Sequence, residues 1–81
     1  MDRMRDFGFI CQCAIRYAFN QGTYVSTIVT EFILNNLNII TRGYRESIKK
    51  EVEEAIDSYT GSSFFDDEVW KNFLKELKIW N

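Results

Sequence analysis

From Phe9 to Phe19 apolar residues run almost without a break: Phe9, Ile10, Cys11, Cys13, Ala14, Ile15, Tyr17, Ala18 and Phe19. Gln12, Arg16 and Asn20 interrupt them at every fourth position, so an α-helix stacks these three along one side. A helix apolar on its remaining sides is expected to be buried nearly all round. Its polar stripe then needs partners in the fold, in a neighbouring subunit or in a ligand, because an unpaired buried polar group costs about 1–3 kcal/mol. The pattern predicts a first helix over residues 3–20, with Asp2 as its N-cap and Gln21-Gly22 as its left-handed stop. Gly8, one turn ahead of Gln12, either opens this helix or marks a close approach by backbone or ligand.

Val25, Ile28, Val29, Phe32, Ile33, Leu37 and Ile40 follow helical spacing opposite Ser26, Thr27, Thr30, Glu31, Asn35 and Asn38. This predicts a second helix over residues 25–37, antiparallel to the first, with the apolar set inward. The many β-branched residues from Thr23 to Leu34 make a strand the competing reading. Thr41 is placed to cap a third helix over 42–59, with Tyr44, Ile48, Val52, Ala55, Ile56 and Tyr59 as its buried stripe. Glu46 with Lys50, and Lys49 with Glu53, have the spacing of surface pairs on its solvated side. Thr60-Gly61-Ser62-Ser63 ends that helix, and Asp66 or Asp67 opens a fourth over 67–79. Val69, Trp70, Phe73, Leu74, Leu77 and Trp80 face inward there, and Lys71, Lys75 and Lys78 outward. The expectation is one all-α domain over residues 1–81, a bundle of four helices.

Composition sharpens this picture. A chain of 81 residues with 46% hydrophobic and 16% aromatic content carries more apolar surface than so small a sphere readily buries. A homo-oligomer is therefore expected, with a dense monomeric core as the alternative. Charge is concentrated after Ile40, which makes the first half core or interface. A net charge of −2 disfavours nonspecific nucleic-acid binding. A helix-turn-helix regulator built on the second and third helices is disfavoured too, because Glu51, Glu53 and Glu54 would enter the groove. The sequence offers neither a signal-peptide pattern nor an apolar run long enough to span a bilayer, so no membrane contact and a cytoplasmic location are expected.

Catalytic chemistry has little to draw on. The chain has no histidine and two cysteines, Cys11 and Cys13, whose spacing on a helix forbids a mutual disulfide. Both are expected to be reduced, buried and inert. No phosphate-cradling glycine loop precedes a helix, and Asp66, Asp67 and Glu68 read as helix-dipole partners before they read as a metal site. The sequence therefore predicts a non-enzyme without cofactor or metal. The candidate ligand site is Gln12, Arg16, Tyr17, Asn20, Thr23 and Tyr24: a guanidinium fork for phosphate or carboxylate, two carboxamides and a hydroxyl beside it, and two rings to stack on a base. The competing reading pairs Arg16 with Glu31 and turns the tyrosine hydroxyls to backbone carbonyls.

The stretch Arg16-Tyr17-Ala18-Phe19-Asn20-Gln21-Gly22-Thr23-Tyr24 resembles short accessory proteins of tailed phages and prophages. These carry R-Y-A-L-G-R-x-T-Y, then a hydrophobic helix, a Lys/Glu-rich helix and a tryptophan near the C-terminus. Phe19, Asn20 and Gln21 replace the usual leucine, glycine and second arginine. The resemblance implies an anti-defence protein in the host cytoplasm, which sequesters a nucleotide-type immune signal without catalysis. The alternative it implies is an inhibitor that blocks a host defence protein by direct contact, for which Phe64, Phe65, Trp70 and Trp80 are the candidate aromatic patch.

Overall fold

Helical spacing is obeyed along the chain, and four α-helices result: α1 (Arg3–Ala18), α2 (Gly22–Leu34), α3 (Arg42–Tyr59) and α4 (Asp67–Ile79). The structure, a computed structural model, describes the backbone of residues 3–79 and the side chains of residues 7–79. Among the described residues there is no strand, so the β-branched run after Thr23 is helical. The expected N-cap Asp2 and the expected core residue Trp80 lie outside the described residues.

α1 packs against α2 and α3, and α4 closes the bundle against the same two helices. Ile15, Ala18, Ile33, Leu37, Ile48, Val52, Phe73 and Leu77 fill the centre. At one end the aromatic rings meet. Trp70 is fully buried with its centroid 4.7 Å from Phe19, edge to face, and 6.2 Å from Phe65, nearly parallel. No described helix is long and apolar enough to cross a membrane.

α2 departs most from expectation. It begins and ends three residues early, and a 3-10 turn at Leu37–Ile39 takes up the remainder. Gly22 sets the start, with φ of +85° that a side chain would resist, and its N–H donates to the Phe64 carbonyl at 2.9 Å. The helix is also rotated relative to expectation. Its buried residues are Ser26, Thr30 and Ile33, whereas Ile28 and Phe32 are exposed. Both hydroxyls can be buried because each finds a backbone acceptor. Ser26 donates to the Ala18 carbonyl at 3.1 Å, an oxygen that also accepts the Gln21 N–H at 3.1 Å, and Thr30 donates to the Ser26 carbonyl at 2.8 Å.

α3 and α4 follow the expected boundaries and stripes. Thr41 occupies the N-cap position of α3, but its side chain makes no capping bond. The ion pair on the outer side joins Lys49 to Glu46 at 3.3 Å, one helical turn apart, in place of the two pairs expected from spacing. Asp66 does cap α4: its Oδ1 accepts the Val69 N–H at 3.0 Å.

Candidate functional site

Two of the six candidate residues meet, on the side of α1 that faces α3. Gln12 is buried, and its Nε2 donates to Ser47 Oγ at 2.8 Å and to Glu51 Oε1 at 3.1 Å. Arg16 Nε donates to the same Glu51 oxygen at 2.6 Å, and its Nη2 completes the ion pair. These bonds hold the Arg16 guanidinium above its ordinary pKa. The partner of Arg16 is therefore Glu51, not Glu31. Glu51, named from the sequence only among the acids that argue against entry into a DNA groove, sits three residues after the buried Ile48, on the flank of the stripe that touches α1. That register was the available signal.

Beside this latch a cavity of about 360 Å³ opens between α1 and α3, lined among others by Arg16, Phe19, Glu51, Glu54 and Tyr59. Its single cation is already matched by Glu51, and Glu54 adds a second carboxylate. An anionic ligand entering here would have to displace one acid and approach another. The remaining candidates point elsewhere. Asn20 is exposed beyond the end of α1, and Tyr17 and Tyr24 are largely exposed. Thr23 donates to Asp66 Oδ2 at 2.6 Å, tying the start of α2 to the start of α4. That bond, followed by the Val69 N–H, holds the Asp66 carboxyl below its usual range.

The outer side of α1 and α2 has a different character. α1 is not buried all round: Phe9, Ile10, Cys13 and Tyr17 are exposed, and so are Tyr24, Ile28 and Phe32 of α2. Between the helices runs a groove of about 250 Å³ floored by Cys11 and Ile33 and walled by Ile10, Ala14, Ile28 and Phe32. Cys11 is buried there, which pushes its thiol above the ordinary pKa; Cys13 was expected to be buried but faces solvent. The signal for this face was that α2 carries two apolar stripes. Only one can face the core, and the spacing alone did not say which.

The expected aromatic patch is corrected as well. Phe65 and Trp70 belong to the core, and of the described members only Phe64 is exposed. Trp70 lies on the same helical stripe as Phe73 and Leu77, which fixes it inward. Among the described residues no group of three or more Cys, Asp or Glu side chains could hold a metal ion. No protein family matches the chain, and no curated protein or solved structure matches it either.

Proposed function

We propose that this chain is a non-catalytic binding protein that works by direct protein–protein contact through the outer face of α1 and α2. The observation that carries this reading is the exposure of Ile10, Tyr17, Tyr24, Ile28 and Phe32 on two adjoining helices, around a groove walled by apolar side chains. Large aromatic and aliphatic side chains left on a surface in this way mark contact sites with other proteins. The absence of histidine from the sequence fits a role without acid-base chemistry.

Sequestration of a nucleotide-type signal is less well supported by the geometry. It asks for a free cationic fork with rings beside it, whereas Arg16 is bound to Glu51, and neither Tyr17 nor Tyr24, both exposed, lines the cavity beside that pair. In the phage setting that the sequence resemblance implies, the contact reading makes this an inhibitor or assembly partner, not a sponge.

The test offers tagged wild type and tagged Phe32→Glu both untagged copies of the chain and a bacterial host lysate. One stoichiometric protein, of either origin, is expected on the wild type and absent from the variant. No retained protein, together with calorimetric binding of a cyclic dinucleotide or cyclic ADP-ribose isomer that is lost in Arg16→Ala, would overturn this reading and restore the sponge.

A further inference from the structure

Resting on the reading that the α1–α2 face is a protein-contact surface, we propose that its occupant is a second copy of this chain, docked about a twofold axis. Area is the first argument. Ile10, Tyr17, Tyr24, Ile28 and Phe32 are 60, 65, 78, 49 and 54% exposed. At roughly 200 Å² for each whole residue, these five leave about 600 Å² uncovered. That already reaches the upper end of the largest apolar patch on an ordinary monomer, about 300–600 Å². With the half-buried Ala14 and Val29 of the groove lining added, the face moves toward the roughly 800 Å² per partner of a stable pair.

Charge is the second argument. Among the described residues the groove lining carries no ionised group, and Arg16 and Glu31 stand outside it. An uncharged groove meets its own copy without like charges being driven together at the centre of the contact, which a self-complementary contact requires. Shape is the third. Two neighbouring helices form a layer, and a second identical layer laid across it makes a four-helix contact in which ridges enter grooves. Ala14 leaves the space between Ile10 and Ile28 into which a side chain of the other copy fits. The rotation of α2 gains a purpose on this account: Ser26 and Thr30 satisfy themselves inward, and Ile28 and Phe32 are released for the partner.

Light scattering on wild type, Ile28→Glu, Phe32→Glu and Phe64→Glu at high micromolar concentration tests the proposal, with circular dichroism confirming that each variant is folded. Wild type and Phe64→Glu are expected at twice the 9.6 kDa chain mass, and the two face variants at the chain mass itself. A carboxylate left uncompensated in the dry contact weakens association by roughly 100-fold or more. A dimer unaffected by either face variant overturns the proposal. So does a monomeric wild type, and the two readings then separate. If that monomer retains a host protein that Phe32→Glu loses, the contact function stands and self-association falls. If it retains nothing, both fall.

Discussion

A Cβ placed on Gly8 would stand 2.6 Å from Cδ2 of Tyr44 and 3.0 Å from its Cβ. Gly8 is therefore the close approach between α1 and α3, and the approaching group is a ring from the chain itself, not a ligand. The contact includes the root of the tyrosine side chain, which cannot swing clear without moving α3. Gly8→Ala gains about 1 kcal/mol of helix propensity and suffers overpacking of about 1–3 kcal/mol. A net loss of up to about 2 kcal/mol is expected, read as a fall in Tm of several degrees in thermal circular dichroism. In the Tyr44→Ala background, which removes the ring contacts and leaves the Cβ at 3.0 Å, the same substitution should cost less than in wild type; a loss there as large as in wild type would show that the ring is not the obstacle.

The rotation of α2 makes two isoleucines five residues apart behave oppositely. Ile33 is fully buried, so Ile33→Ala should cost about 2–5 kcal/mol in urea unfolding. Ile28 is half exposed, and in dilute, monomeric protein Ile28→Ala should cost less than about 1 kcal/mol. Equal losses would return Ile28 to the core, where the spacing of the sequence had placed it.

What the sequence could and could not convey follows from these positions. Helix type and the ends of α3 and α4 were legible, because Ile48, Val52, Ala55, Trp70, Phe73 and Leu77 form one apolar stripe on each helix, with charges opposite. The facing of α2 was legible only in part. Val25, Val29 and Ile33 pack on the core as their spacing predicts, but Ile28 and Phe32 yield their expected places to Ser26 and Thr30, and only the hydrogen bonds to the Ala18 and Ser26 carbonyls explain why hydroxyls face inward. The polar stripe of α1 was legible as a demand for partners, yet periodicity does not name them. Ser47 and Glu51 lie 35 and 39 residues from Gln12, at a distance in sequence that no local pattern reaches.

Because Glu51 is the shared acceptor of Gln12 and Arg16, the latch should behave as a unit. Arg16→Ala and Glu51→Ala are each expected to lower Tm by a few degrees, and the double variant no further than Glu51→Ala alone. Additive losses would mean that the two residues act independently. Glu51→Gln keeps an acceptor for Gln12 while removing the ion pair, so it should fall between wild type and Glu51→Ala.

Asp66 connects stability to pH. It caps α4 through Val69 and accepts the Thr23 hydroxyl, and these bonds favour its charged form, lowering its pKa in the folded state. A carboxyl with a folded pKa below its ordinary value of about 3.9 contributes fully above that value; its contribution is lost as pH falls through the folded pKa. Asp66→Ala should therefore cost about 1 kcal/mol near neutrality, the usual size of an N-cap. The gap between wild type and variant in urea midpoint should hold from pH 7 to about 5 and narrow below about 4, because protonation weakens in the wild type the bonds that the variant already lacks. Thr23→Val removes the hydroxyl donor and should move the folded pKa back up toward the ordinary value, so that the pH-linked loss becomes smaller and is complete at a higher pH, while its onset, set by the unfolded carboxyl, stays where it is. A gap that stayed constant down to pH 2 would show that the charge of Asp66 contributes nothing to holding the start of α4 against α2.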